Sequence, residues 1–232
     1  ALVASRITTI LRDAAAAVGH CHSKNVLHGG VSHDSFVVAQ KPRGPVLQLT
    51  GFELASPLIV PQQTRASARP GTALLPTALV RGYVPAYRSP EVEKAVAQLA
   101  QAASKRQLEL RRVETKVTAA EADVWALGVM LFMLLTGAPP WEPTWGPEGA
   151  AYDYVRDGNL RGLLLQYGIT HVSENAKDLL QRMLTADPRR RMPLPALRAH
   201  PLFSELLDCR LTFFTRATSS VLTSPMPVRA YG

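Results

Sequence analysis

The chain has 232 residues, 47% hydrophobic and 19% charged, which is enough to bury one substantial core and excludes a chain disordered throughout. Its 26 Lys and Arg against 18 Asp and Glu leave a charge of +8; yet the basic residues are dispersed, apart from Arg111 to Lys116 and Arg189 to Arg191, and lack the interleaved aromatics of a nucleic-acid platform. Two cysteines, Cys21 and Cys209, exclude a disulfide framework and suit a reducing, intracellular compartment.

Apolar positions at Ile7, Ile10, Leu11, Ala14, Ala15 and Val18 predict a first helix from about Ile7 to Ser23. No initiator Met, secretory pattern or transit segment precedes it, as expected of a segment that begins inside a longer gene product. Two short apolar runs, Phe36 to Val38 and Val46 to Leu49, flank Lys41-Pro42-Arg43-Gly44-Pro45, a turn between small strands. From Ala55 to Tyr83 periodicity disappears, which predicts a long functional or poorly ordered loop. Helical patterning returns from Val92 to Lys116. The apolar run from Val124 to Ala138 is about fifteen residues, short of the roughly 18 needed to cross a bilayer, so Asp123 to Thr136 is read as a core helix stopped by Gly137 and Pro139-Pro140. Further helices are predicted over Tyr152 to Arg156, Leu160 to Gln166, Ser173 to Leu184, with Ser173 as N-cap, and Leu194 to Arg198. The tail from Ser204 to Gly232 ends in Pro- and Ser-bearing sequence.

Several local sequences are specific. Ala16 to Gly30 reads Ala-Ala-Val-Gly-His-Cys-His-Ser-Lys-Asn-Val-Leu-His-Gly-Gly, followed by Val31-Ser32-His33-Asp34-Ser35-Phe36-Val37-Val38 and then Leu49-Thr50-Gly51-Phe52-Glu53-Leu54-Ala55. Downstream stand Tyr87-Arg88-Ser89-Pro90-Glu91, Asp123-Val124-Trp125-Ala126-Leu127-Gly128, Ala176-Lys177-Asp178-Leu179-Leu180, Asp187-Pro188-Arg189-Arg190-Arg191-Met192 and His200-Pro201-Leu202-Phe203. In this order they resemble the large lobe of the serine/threonine protein kinases of the calmodulin-dependent type: the His-Arg-Asp loop, the Asp-Phe-Gly segment, the Ala-Pro-Glu end and the last helices. The resemblance implies a fold that is mainly α with a small β-hairpin, the C-terminal lobe of a kinase, with the small lobe absent from this chain. The lobe is expected over residues 1–203, with 92–116 as a helical insertion and 204–232 as an extension.

The same resemblance exposes departures. The base falls on Gly30, the loop Lys on Ser32, the magnesium-binding Asn on Ser35 and the magnesium-binding Asp on Gly51, so no catalytic, cofactor-binding or metal residue is expected at those places. The Arg that receives an activation-loop phosphate falls on Gly29. The lobe's structural positions are retained: His28, Phe52, Trp125 and Gly128 as packing positions, Glu91 and Arg191 as a buried ion pair, and Asp123 as the brace of the loop backbone. The pattern implies a pseudokinase that is not an enzyme and needs no cofactor, serving as a protein-binding scaffold or subunit of a larger assembly through 92–116 or the tail. The alternative is a divergent active serine/threonine kinase that transfers phosphate from ATP and uses Asp34 or Glu53. His20, Cys21, His22, His28 and His33 lack a recognised zinc spacing and read as ordinary residues of a helix end.

Overall fold

The computed structural model describes residues 2–42, 44–57, 84–104, 119–141 and 149–204. The predicted loop from Ala55 to Tyr83, the later part of 92–116 and the tail lie largely or wholly outside these residues. The architecture is mainly α with a small β-hairpin, as the sequence predicts.

Helix α1 spans Leu2–Ser23, starting earlier than the apolar spacing required. Ile7, Leu11, Ala14, Ala15 and Val18 are buried and recur one or two turns apart, so one stripe faces the core. Asn25 ends the helix in the left-handed region, at φ 57°, and its N–H donates to the His22 carbonyl at 3.0 Å, a cap that closes an otherwise unpaired carbonyl.

After α1 come β1 (Val26–Leu27), β2 (Phe36–Lys41), β3 (Gly44–Leu49) and β4 (Ser56–Pro57). The hairpin strands β2 and β3 are longer than predicted. Their antiparallel register runs from Phe36 against Leu49 to Lys41 against Gly44, because backbone pairing continues through residues whose side chains carry no apolar signal. The β1–β4 pair, Leu27 opposite Ser56 and Val26 opposite Pro57, went unpredicted, since two residues are too few to show alternation. It fastens the chain after α1 to the chain after Phe52 and so draws residues 28–35 and 50–54 together.

The remaining elements are α2 (Pro90–Ser104), α3 (Ala119–Thr136), α4 (Gly149–Arg156), α5 (Leu160–Gln166), α6 (Glu174–Met183), α7 (Leu194–Arg198) and α8 (Pro201–Ser204). Helix α3 is apolar on every side from Val124 to Phe132, and all nine of these residues apart from Gly128 are in the core cluster; a helix apolar all round belongs in the middle of a bundle. It stops at Gly137, whose φ of 80° accompanies an N–H bond back to the Met133 carbonyl at 2.8 Å. Ser173 caps α6, its hydroxyl accepting from the Ala176 N–H at 3.3 Å. That orients Ala176, Leu179, Leu180 and Met183 inward.

Helices α3 and α6 meet at Gly128, where a Cβ would lie 3.0 Å from Leu184 Cδ2 and Met183 Cβ. A side chain here would have to displace Met183 Cβ, which is fixed to its backbone, as well as the end of Leu184. By contrast, a Cβ at Gly19 of α1 would rest 3.6 Å from Leu194 Cδ2, an ordinary contact. Gly128→Val is therefore expected to lower unfolding stability by about 1–3 kcal/mol through overpacking, whereas Gly19→Ala raises it by about 0.4–1 kcal/mol. Urea denaturation of both variants beside the parent checks this opposition.

Candidate functional site

The catalytic-type loop is built on a buried carboxylate. Asp123, in the second turn of α3, is 1% exposed. Its Oδ2 accepts the His28 N–H at 3.2 Å, its Oδ1 accepts the Gly29 N–H at 3.2 Å, and His22 Nε2 lies 2.9 Å from Oδ2. A carboxylate so far from water persists only if its lone pairs are used, and here they hold the loop backbone where Gly29 turns at φ 74°.

His28 continues the brace. The Gly30 N–H donates to its Nδ1 at 3.3 Å, which makes Nδ1 the acceptor and leaves Nε2 to donate to the Thr50 carbonyl at 2.9 Å. Its ring also meets Phe52 edge-on, with centroids 4.9 Å apart. The loop and the residues around Gly51 are thereby locked to one another.

The departed positions are repacked rather than left open. A Cβ on Gly30 would stand 3.3 Å from Leu54 Cδ1, so a leucine methyl lies beside the place of the family's base. Ser35 Oγ donates to the Gly30 carbonyl at 2.6 Å and receives the Ser32 N–H at 3.1 Å; with one proton already donated, it also accepts from Ser32 Oγ at 3.2 Å. Both serines are buried and knit the loop to itself. Gly51 is left-handed, φ 76° and ψ 48°, and a Cβ there would lie 3.5 Å from Glu53 Oε2 and 4.0 Å from Ser35 Oγ.

Of the two carboxylates near these positions, the structure brings only Glu53 to Gly51. Asp34 is 83% exposed at its side chain and pairs with His33 Nε2 at 3.5 Å. His33 Nδ1 in turn lies 2.7 Å from Tyr87 Oη, and the His33 N–H donates to the same oxygen at 3.2 Å. Tyr87 belongs to the quoted Tyr-Arg-Ser-Pro-Glu segment, yet its tie to the loop could not be read from sequence. Burial pushes its phenol up to about 12; the charge of Asp34 acts in the same direction and the His33 backbone bond opposes it.

A second anchor lies behind the site. Arg191, with a side chain 0% exposed, grips Glu91 bidentately at 2.6 and 2.9 Å. It also donates to the carbonyls of Thr185 at 3.0 Å, Glu121 at 2.8 Å and Ala186 at 3.4 Å. All five guanidinium N–H groups are used, and the group lies 4.9 Å from the centroid of Trp125. Trp125 stacks on Trp141 at 5.6 Å, whose Nε1 donates to the Ala86 carbonyl at 3.0 Å. The end of the Pro90-Glu91 segment is thus bolted to α3 and to the turn before Met192. The Glu121 carboxyl beside it is raised above its ordinary value by burial. Burial, with the Asp123 charge adding to it, likewise raises the Cys21 thiol. Among the described residues, no group of three or more His, Cys, Asp or Glu converges as a metal site.

The family model of the protein kinase domain matches residues 2–203. Calcium-dependent protein kinase 19 of Oryza sativa subsp. japonica is 29% identical over 194 residues, 83% of this chain and 29% of that protein. Serine/threonine-protein kinase SRK2E of Arabidopsis thaliana is 26% identical over 210 residues, 90% of this chain and 48% of that protein. Protein lin-2 of Caenorhabditis elegans is 27% identical over 192 residues, 82% and 16% of the two chains. The chain therefore spans less than half the length of these relatives. The crystal structure of the Rad53 kinase domain and SCD2 in complex with AMPPNP is similar in fold, with a TM-score of 0.52 and 19% identity over 86% of this chain and 59% of that one. No helix of the described residues is long and apolar enough to cross a membrane.

The expectation that the chain is not an enzyme is overturned by these relatives, which include proteins named as calcium-dependent and serine/threonine protein kinases. The expectation rested on the absent side chains at Gly30, Ser32, Ser35 and Gly51 alone, whereas phosphoryl transfer draws mostly on positioning and electrostatic stabilisation.

Two outcomes are expected of the frame. Arg191→Met leaves Glu91 facing a pocket without its cation and costs about 3–5 kcal/mol in chemical denaturation; Arg191→Lys also destabilises, because an ammonium has three donors for five places. The Tyr87 phenol, raised in the folded state, contributes stability that is complete below pH ~10 and lost as pH rises toward 12. Tyr87→Phe should therefore flatten the alkaline limb of a melting-temperature profile measured from pH 8 to 12.

Proposed function

Because this chain belongs to the protein kinase family, we propose that it is the large lobe of a divergent serine/threonine protein kinase that transfers phosphate from ATP to a protein hydroxyl. The observation that carries the reading is Asp123, whose buried carboxylate holds both the His28 and the Gly29 N–H and so keeps the loop shaped for a substrate although position 30 has no side chain. Relatives named as protein kinases support it. Loss of general-base assistance costs on the order of 10²–10⁴ in rate, which predicts a slow enzyme rather than an inert one. Within this reading the lobe covers residues 1–203, 92–116 is a helical insertion and 204–232 is an extension.

Magnesium nucleotides are commonly held by one or two carboxylates together with the phosphates themselves. Glu53, beside Gly51, is the carboxylate that would hold such an ion. When bound, the ion neutralises phosphate charge. The chain's own residues keep the loop rigid: Ser32 and Ser35 hold its backbone, and His28 ties it to Thr50.

A protein partner docked on the insertion is a second, compatible part of the reading. Past Ala95, helix α2 is exposed among the described residues at Ala97, Gln98 and Ala100.

The test is transfer of labelled phosphate from ATP to a peptide library by the full-length protein, with and without magnesium. Slow, magnesium-dependent incorporation is expected. Gly30→Asp should then raise the rate by roughly 10²–10⁴-fold, since the atom nearest its Cβ is the end of a flexible leucine side chain. No incorporation by either protein would sink the reading.

A further inference from the structure

We infer that His33 is a proton-operated clasp between the catalytic-type loop and the Tyr87 segment, one that draws in helix α3 when the imidazole is charged. The inference concerns the frame alone and stands whether or not phosphate is transferred. Tyr87 Oη has three neighbours. The His33 N–H donates to it at 3.2 Å, His33 Nδ1 lies 2.7 Å away, and Met133 Sδ of α3 lies 3.1 Å away. A phenol has one proton, so it serves either the imidazole or the thioether at any moment. The two rings are stacked, with centroids 5.9 Å apart, which keeps Nδ1 against the phenol. On its other side the imidazole meets a charge, because Nε2 is 3.5 Å from Asp34 Oδ1.

Counting protons decides which bonds each state can make. A neutral imidazole has a single N–H. Were it on Nδ1, the bare Nε2 lone pair would be aimed at the Asp34 carboxylate, which repels it. The neutral ring therefore keeps its N–H toward Asp34, Nδ1 accepts the phenol proton, and Met133 loses its donor. The imidazolium donates from both nitrogens: Nε2 serves Asp34 and Nδ1 serves Tyr87 Oη, whose own proton is then released to Met133 Sδ. Protonation thus makes the bond to Tyr87 charge-assisted and completes a chain from Asp34 through His33 and Tyr87 to α3. Among the described residues, the titratable groups facing the ring are Asp34 on its own turn and Tyr87 on the opposite segment; α3 reaches it through the uncharged Met133. Tyr87 stays a phenol below the alkaline range, since burial pushes it up to about 12, and imidazole is the side-chain type that changes charge between pH 5 and 8.

Nitrogen-15 NMR of the full-length protein with labelled histidine reads the ring state of His33. Backbone hydrogen exchange, corrected for the intrinsic rate at each pH, reads the hold of the N–H at position 33 on Tyr87. The expected result is a neutral ring with its N–H on Nε2 at pH 8 and a doubly protonated ring at pH 5. Protection of the N–H should rise about two- to tenfold across that fall, as replacing a neutral by a charge-assisted hydrogen bond implies. The rise should vanish in His33→Gln, which keeps a polar side chain without the titration, and shrink in Asp34→Asn, which removes the facing charge. An N–H on Nδ1 at pH 8, a ring still neutral at pH 5, equal protection at both pH values in the parent, or a parent-sized rise in His33→Gln overturns the clasp. Both substituted side chains are exposed, 56% and 83%, so parent-like melting temperatures are expected of the variants, and the parent's ring state decides the matter without either of them.

Discussion

Asp123 is a carboxylate taken almost wholly out of water, and much of the site follows from where it finds its hydrogen bonds. Transferring such a charge into the interior is costly unless its oxygens are filled. In this lobe they are filled by the N–H groups of His28 and Gly29, with the His22 ring as a third neighbour. The bond that satisfies the charge is therefore also the bond that shapes the loop. Once His28 is placed, its ring reaches Thr50 and Phe52, so a carboxylate on the central helix indirectly positions the segment around Gly51.

Arg191 follows the same logic from the opposite sign. Its five donors have five acceptors drawn from Glu91, Thr185, Ala186 and Glu121. Such a group joins three parts of the chain that are remote in sequence, and none of them can shift without leaving a guanidinium donor unpaired. Buried pairs of this kind contribute little net stability compared with an apolar replacement, yet breaking one partner is expensive. Both anchors thus make the arrangement specific more than they make it strong.

The positions that depart from the kinase pattern show what happens when chemistry leaves a rigid frame. Ser32 and Ser35 bond to each other and to the loop, and Leu54 packs against Gly30. Chemistry at position 51 has a different fate, because a glycine leaves room for a neighbour's longer side chain. Position 51 has Glu53 Oε2 3.5 Å from where a Cβ would stand.

Helix identities, the hairpin and the family were legible in the sequence because each rests on periodicity or on a short motif: the stripe of α1, the apolar run of α3, Ser173 before α6, and motifs such as Asp-Val-Trp-Ala-Leu-Gly. The two-residue β1–β4 pair, the tie from His33 to Tyr87, and the closing of Ser32 on Ser35 had no such signal. A hydrogen bond between Tyr87 and His33 joins residues 54 positions apart, and nothing in their local sequence records the distance between them. The sequence by itself determined which residues could carry charge, turn the chain or fill a core, since those are properties of side chains and their spacing. Only the tertiary structure decided that Glu53, rather than Asp34, faces the space beside Gly51, because that choice depends on a left-handed backbone angle and on which neighbours had already consumed their hydrogen bonds.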